Sequence, residues 1–134
     1  MRLIDNKSKL LNAARQVRDK AYAPYPGFKV GAAIVVEDGN IFTGCNVENA
    51  SYGLTICAER NAMASLIASG NRLPISIAIV AKDGELCPPC GACRQVLMEF
   101  NPDLEIILES GEKNYTSFKL SEILPQSFSA KDLS

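Results

Sequence analysis

The sequence predicts an α/β fold in which a five-stranded mixed sheet packs between helices. Apolar residues at helical spacing alternate along the chain with short runs of β-branched residues, which are typical of strands. Residues 75–108 show the order strand, helix, strand, so these two strands should be parallel and joined by a right-handed crossover. Residues 111–114 are too few for a second crossover, and the last strand should therefore pair antiparallel.

Most predicted elements have a recognisable start or end. Pro24 stops the first helix, Asp38-Gly39 separates two strand-like runs as in a hairpin, Gly70 follows the second helix and Pro102 follows the third. The predicted order is αββαβαββα, with a helix over 5–22, strands over 29–36 and 41–47, a helix over 57–69, a strand over 75–81, a helix over 90–100, a strand over 104–108, a short strand near Tyr115 and a short helix over 121–124.

The size and charge of the chain point to one domain spanning residues 1–134. The net charge is −1, without the basic excess that is common in nucleic-acid-binding proteins, and no apolar run approaches the length of a membrane span. The N-terminus lacks the apolar segment of a signal peptide, so we expect a cytoplasmic protein with neither membrane nor nucleic-acid partners. Five cysteines, an odd number, then favour reduced thiols over disulfides.

Two cysteine motifs carry the strongest chemical signal, namely Cys57-Ala58-Glu59 and Cys90-Gly91-Ala92-Cys93. Each falls at the start of a predicted helix, and the chain contains no histidine. Three thiolates can fill three corners of a zinc tetrahedron and leave the fourth open for water, whereas a closed structural site needs a fourth ligand. The pattern therefore predicts one zinc ion per chain and zinc-activated hydrolysis.

Two further cysteines complicate the ligand set. Cys87 precedes Cys90 by three residues, so that a closed site with four cysteines is a possible alternative. Pro88-Pro89 favours an extended segment that would turn Cys87 away from the helix start. Cys45 falls in the second predicted strand and is expected in the core or in packing around the site.

Charged residues beside the predicted ligands suggest how the site would work. Glu59 lies two residues from Cys57, which suits a proton shuttle better than an ordinary solvated helix position. Three thiolates on Zn²⁺ leave a net negative charge that a neighbouring cation should offset. Arg60 and Arg94 each follow a ligand and could donate to a cysteine sulfur, with Arg60 the stronger candidate; the alternative is a surface arginine.

The end of the second predicted strand carries a possible sugar-binding pair. Asn46 and Glu48 alternate and so point to one face, where an amide and a carboxylate would suit two hydroxyls, although both residue types are also frequent in turns. Phe28 alone would be assigned to the core. Phe128 follows the last helix, where it could fold back onto the chain or favour association through an exposed ring.

These motifs, taken together and in order, resemble cytidine deaminases of the small, homotetrameric kind. The matching blocks cover nearly the whole chain: Ala23-Pro24-Tyr25 with Phe28-Lys29-Val30-Gly31-Ala32-Ala33, Gly44-Cys45-Asn46-Val47-Glu48-Asn49-Ala50, Cys57-Ala58-Glu59-Arg60, Pro89-Cys90-Gly91-Ala92-Cys93-Arg94-Gln95 and Leu124-Pro125-Gln126-Ser127-Phe128. The resemblance implies a three-layer α-β-α fold. It also implies hydrolysis of cytidine and 2′-deoxycytidine to uridine and 2′-deoxyuridine plus ammonia in pyrimidine salvage, through a zinc-bound hydroxide.

The resemblance also implies a role for individual residues. It assigns zinc to Cys57, Cys90 and Cys93 only, proton transfer to Glu59, and substrate contacts to Phe28, Asn46, Glu48, Ala58 and Phe128. Among these, Asn46 and Glu48 would contact the ribose, and Phe128 would stack on the pyrimidine bound in an adjacent subunit of a homotetramer. Pro26 and Pro88 depart from the serines that are frequent at these positions in the family, which bears on loop detail and affinity.

Three rival functions are compatible with part of the pattern. A deaminase of the blasticidin S type shares the cysteine motifs, but residues 46–49 and the Phe128 ending favour cytidine. Editing of polynucleotides is opposed by the net charge of −1. A zinc-stabilised binding module would hold its metal with four cysteines through Cys87 and would have no activity.

Overall fold

A five-stranded mixed sheet forms the centre of the computed structural model, which describes residues 3–25, 28–81, 89–111, 114–125 and 127–133. The strands lie in the order β2-β1-β3-β4-β5. Their bounds are β1 Gly31–Val35, β2 Ile41–Cys45, β3 Ser76–Val80, β4 Glu105–Glu109 and β5 Tyr115–Lys119. β3 and β4 are parallel, and the other neighbouring pairs are antiparallel. The predicted parallel pairing of β3 with β4 and the predicted antiparallel last strand are both confirmed.

Among the residues that the structure describes, four α-helices accompany the sheet, in the predicted order. They are α1 Leu3–Arg18, α2 Ala58–Ala68, α3 Gly91–Met98 and α4 Leu120–Ile123. Two short 3₁₀ helices, Tyr52–Leu54 and Ala130–Leu133, were not predicted. In the ranges that the structure describes, no helix is both long and apolar enough to cross a membrane.

The first helix is shorter than predicted, because residues 19–22 leave it to join the chain after β2. Tyr22 forms a parallel bridge with Val47. The Tyr22 amide donates to the carbonyl of Asn46, at 3.1 Å, and its carbonyl accepts from the amide of Glu48, at 2.8 Å. The apolar spacing alone could not reveal this pairing, since these backbone groups find partners outside the helix.

The sheet has helices on both faces, and its two cores follow the period of two along each strand. Ala33 and Val35 of β1 pack with α1, whereas Ala32 and Ile34 pack with α2 and α3. All five residues of β1 are buried, as expected for a strand covered on both sides. The fold is thus the predicted three-layer α-β-α arrangement.

Two glycines allow the helices to approach the sheet closely. A Cβ added at Gly31 would collide with the backbone of α1, at the Ala14 carbonyl and the Arg18 amide. A Cβ at Gly44 would collide with the backbone of α2 and would lie 2.6 Å from the Ala58 carbonyl. Each face of the sheet therefore depends on one position that admits no side chain.

Candidate metal centre and active site

The three predicted ligands come together between the first turns of two helices. Cys57 and Cys90 are the N-cap residues of α2 and α3, and both have an extended backbone. Cys93 follows in the first turn of α3. The sulfur atoms of Cys57 and Cys90 lie 3.9 Å apart, those of Cys90 and Cys93 lie 3.3 Å apart, and all three lie within 4.8 Å of one another. The structure thus builds one cluster from residues that are 36 positions apart at most.

The spacing of the sulfurs fits a tetrahedral zinc ion. Sulfurs bound at about 2.3 Å to such an ion lie about 3.8 Å from one another, close to the observed separations. Burial, followed by the charge of Glu59, raises the pKa of the Cys93 thiol. Burial opposes ionisation of Cys90, but hydrogen bonds with the backbone and thiol of Cys93 and with Cys57 outweigh it, so the pKa of Cys90 is lowered. A cation would let all three ionise, so the donor set and its charge suit a soft divalent metal.

Arg60 places positive charge beside this cluster. One guanidinium nitrogen, Nη2, lies 3.7 Å from Cys57 Sγ and 3.4 Å from the carbonyl of Thr55. The Cys57 sulfur raises the pKa of Arg60 further, so the side chain stays charged. Its Nε is buried without a hydrogen-bond partner among the described residues. Such a cation is stable next to thiolates, which again favours ionised cysteines.

Arg94 is used differently from Arg60, although both follow a predicted ligand. Its Nε donates to the carbonyl of Pro89 at 2.9 Å, and its Nη1 donates to the carbonyl of Ile123 at 3.0 Å. These bonds join the residue before Cys90 to the end of α4. The observed hydrogen bonds therefore stabilise the start of α3 through backbone carbonyls. The predicted contact of Arg94 with a cysteine sulfur stays a prediction.

Glu59 lies in the first turn of α2, directly beside the thiols. The residue is only 5% exposed, and its carboxylate interacts with the thiol of Cys93. Burial raises the pKa of Glu59, while hydrogen bonds to its own amide and to Cys93 partly oppose this rise. A raised pKa brings a carboxyl group closer to the range in which it can both accept and release a proton, as general acid–base catalysis requires.

Asn46 and Glu48 are buried at the end of β2, and both organise nearby loops. Asn46 accepts from the amide of Val30 and donates to the carbonyl of Phe28, each at 2.8 Å. Glu48 Oε1 accepts from the amide of Tyr25 at 2.8 Å. Both side chains keep further hydrogen-bonding capacity, since amides and carboxylates can each serve several partners.

A pocket of about 410 Å³ opens beside Glu48, and sequence reasoning missed three of its lining residues. These are Tyr25, Tyr52 and Thr55. The tyrosine ring centroids lie 6.3 Å apart. Tyr25 belongs to the motif Ala23-Pro24-Tyr25, which was a signal. Tyr52 and Thr55 lie in and directly after a short 3₁₀ helix, whose sequence has no apolar periodicity.

The remaining predicted residues are more scattered. Ala58 is fully buried at the start of α2, next to Cys57. Phe28 is 38% exposed, so it is outside the core that its residue type suggests. Phe128 is 52% exposed, and its carbonyl accepts from Gln95 Nε2 of α3 at 2.8 Å. Of the other cysteines, Cys45 is not in the metal cluster, while Cys87 falls outside the described residues, as do Pro26 and Pro88.

Comparison with known proteins places this geometry in a family. Residues 4–109 match the family model of the cytidine and deoxycytidylate deaminase zinc-binding region. A curated cytidine deaminase from Halalkalibacterium halodurans is 43% identical over 96% of this chain and 98% of its own length. The crystal structure of a cytidine deaminase from Burkholderia pseudomallei is similar at a TM-score of 0.85 and 48% identity, covering 90% of this chain and 98% of that one. The corresponding structure from Mycobacterium tuberculosis has a TM-score of 0.81 and 41% identity, covering 91% and 96%.

The fold and the thiol cluster therefore define a zinc-dependent deaminase, a hydrolase. The chain belongs to the cytidine and deoxycytidylate deaminase family. This result confirms the resemblance and the zinc cofactor that the cysteine motifs predicted.

Proposed function

We propose that this protein hydrolyses cytidine and 2′-deoxycytidine to uridine and 2′-deoxyuridine, with release of ammonia. The observation that carries the proposal is a buried carboxylate, Glu59, placed against a three-thiol metal cluster. A hydrolytic deamination needs an activated water and one group that can move protons, and this arrangement provides a position for each. The similarity to proteins named cytidine deaminase supports the choice of base.

Cys57, Cys90 and Cys93 would hold the zinc ion, with Arg60 limiting the negative charge on their sulfurs. When bound, zinc supplies Lewis-acid activation of a water molecule at neutral pH. Glu59 would take a proton from that water and deliver it to ring N3 as the new bond to C4 forms. Glu59 would then pass the second proton to the departing amine, so that ammonia leaves and the uracil carbonyl forms.

Asn46 and Glu48 would hold the sugar, while Phe28 and Ala58 would border the pyrimidine. The two polar residues are buried and already ordered by backbone contacts, so binding would require little rearrangement. A grip on the 3′-hydroxyl would accept ribose and deoxyribose alike. It would exclude free cytosine, which lacks the sugar, and polynucleotides, in which the 3′-oxygen is esterified.

We further propose a cytoplasmic homotetramer, acting in pyrimidine salvage, whose active sites are completed by neighbouring chains. Several large apolar residues around the pocket are exposed: Tyr25, Val47, Tyr52, Leu54 and Ile56. Val47 and Ile56 pair in a bridge, and Tyr25 contacts Tyr52, so these residues form a patch rather than isolated positions. A second copy of the chain is the occupant that the resemblance implies, with Phe128 reaching the neighbouring site.

The direct test is to incubate the zinc-loaded protein separately with cytidine, 2′-deoxycytidine, cytosine and an oligodeoxycytidine. Uridine and deoxyuridine should form, and the other two substrates should not react. Glu48→Ala should lower kcat/KM for cytidine by about tenfold or more, because a hydrogen bond to a charged group is worth about 1.5–3 kcal/mol. Glu37→Ala, an exposed glutamate in the turn of the same hairpin, is the matched control. Equal turnover of cytosine and cytidine would contradict the sugar grip.

The assembly has its own test. Light scattering at micromolar concentration should give four times the mass of one chain. A fully active monomer would overturn both the tetramer and the role of Phe128 in a neighbouring site.

A further inference from the structure

One side chain links helix α2, which follows the predicted ligand Cys57, to the end of strand β2, which the proposed sugar contacts follow. Asn61, one turn after Cys57 in α2, donates from Nδ2 to the carbonyl of Cys45 at 2.8 Å. Cys45 is the last residue of β2 and directly precedes Asn46. This partly buried hydrogen bond links the two halves of the candidate active site from within the helix, in addition to the backbone bridge between Val47 and Ile56 that precedes it.

The Cys45 carbonyl is available because β2 is an edge strand of the sheet. The amide of Asn46 donates to the carbonyl of Val30, on the side of β1. In a planar trans peptide the carbonyl of the preceding residue points the opposite way, away from β1. No strand lies beyond β2 in the described sheet, and the Asn61 amide provides the partner that a neighbouring strand would otherwise supply.

A second, independent contact holds the same helix against the same strand. Gly44 packs against the backbone of α2 at Ala58 and Ala62, with no space for a Cβ. Gly44 thereby sets how close α2 lies to β2, whereas the directional Asn61 bond sets where along the strand the helix sits. The first turn of that helix also holds Cys57 and Glu59.

We propose that Asn61 is a positioning residue that keeps the metal and Glu59 at the correct distance from Asn46 and Glu48. The inference rests on the proposed function, since a nucleoside spans this distance with its base at one end and its sugar at the other. A displacement of the strand end would leave all these residues in place on their own elements. The sugar contacts would then no longer match the position of the sugar when the base lies against Glu59. Small misplacements of this kind are costly, since about 1 Å can reduce a rate by about a hundredfold.

The test compares Asn61→Ala with Ser65→Ala, an exposed polar residue on the same helix. Alanine has a higher helix propensity than asparagine, so a loss cannot be attributed to a weaker α2. We expect Asn61→Ala to keep its zinc and to lower kcat/KM for cytidine by roughly tenfold, mainly through KM. Amide hydrogen exchange at residues 46–48 should become faster. Ser65→Ala should match the wild type in all three measurements.

A double-mutant cycle with Glu48→Ala separates positioning from general destabilisation. If Asn61 acts by aligning the sugar contacts, Asn61→Ala should cost less activity once Glu48 has been removed, and the two effects should not add. Additive effects together with unchanged exchange at residues 46–48 would overturn the inference. Asn61→Asp, which puts a carboxylate oxygen against the carbonyl, provides a second variant and should shift KM and exchange in the same direction.

The exchange measurement also separates this inference from the proposed function. If the wild type fails to deaminate cytidine, the proposed function is wrong. Faster exchange at residues 46–48 in Asn61→Ala would still support the link between α2 and β2. Unchanged exchange would overturn that link, whatever the substrate.

Discussion

The two faces of the sheet each bury a glutamate, and the two glutamates have very different partners. On the α1 face, Glu109 is 6% exposed and accepts from Arg15 Nε at 2.7 Å and from Arg15 Nη2 at 2.5 Å. On the opposite face, Glu59 is 5% exposed and lies against thiols, and burial raises its pKa. Residue type and burial are nearly the same, so Glu109 and Glu59 differ mainly in the groups that their carboxylates contact.

The buried carboxylate on the α1 face therefore serves to hold the fold together. The face covered by α2 and α3, here called the reactive face, carries the carboxylate that lies beside the thiols. Arg15 neutralises Glu109 and so ties α1 to the end of β4, as Arg18 ties α1 to the Ala81 carbonyl after β3. The ion pair places a cationic partner directly against this buried carboxylate. Glu59 has no comparable ion pair among the described residues, and its environment favours proton uptake. A buried carboxylate is thus a candidate catalyst when its charge is left poorly compensated.

The largest effect should come from removing a metal ligand on the reactive face. Cys90→Ser or Cys93→Ser should abolish zinc binding and activity, because too few thiolates then remain for a stable site. Cys45→Ser should keep one zinc per chain, and the three-ligand assignment predicts the same for Cys87→Ser. Metal content measured by elemental analysis decides the matter, and full loss of zinc in Cys87→Ser would replace the assignment with a four-cysteine site.

The contrast between Glu59 and Glu109 provides the next test. Glu59→Gln should fold and retain zinc but lose about 10²–10⁴-fold in kcat, because one group serves both proton transfers. Glu109→Gln should instead lower the free energy of unfolding by about 1–3 kcal/mol while the folded enzyme keeps its activity. Urea denaturation and steady-state kinetics measure the two effects separately. A Glu59→Gln enzyme within tenfold of wild type would show that another group moves the protons.

The two close-packed glycines test whether changes on the α1 face affect only stability while changes on the α2 face also affect activity. Gly31→Ala and Gly44→Ala should each destabilise the protein by about 1–3 kcal/mol, because each Cβ meets helix backbone rather than a movable side chain. Only Gly44→Ala should also reduce kcat/KM of the folded enzyme, by tenfold or more, since it displaces α2 with Glu59 and Cys57. If Gly31→Ala lost as much activity as Gly44→Ala at the same folded fraction, the two faces would not differ in their effect on catalysis.

The smallest expected effect concerns Phe128, which follows α4 and belongs to neither face of the sheet. Phe128→Ala should raise KM by a few fold without loss of zinc, since an aromatic stack is worth about 0.5–1.5 kcal/mol beyond burial. Titration of the substrate dependence, with zinc content measured on the same sample, provides the check. A change in kcat alone would argue against a stacking role.

Much of the fold could be predicted because strong local signals agreed with the tertiary arrangement. The strand order around the crossover followed from residues 75–108, and the hairpin followed from Asp38-Gly39 between two strand-like runs. The prediction failed at residues 19–22, where apolar spacing continued but the backbone of Tyr22 pairs with the segment after β2. Periodicity records which side a residue faces, and not where its backbone hydrogen bonds go.

The amino-acid sequence by itself determined the chemical class of this protein. Thiolates at helix starts with a glutamate beside them, in a chain without histidine, leave few alternatives to zinc hydrolysis, because metal affinity depends on ligand type. Only the tertiary structure decided which neighbours serve the site. Arg60 and Arg94 each closely follow a predicted ligand in the sequence, yet one faces a sulfur and the other faces two carbonyls. The Asn61 contact was likewise invisible in the sequence, because it depends on the direction of one carbonyl at a sheet edge, which long-range packing sets.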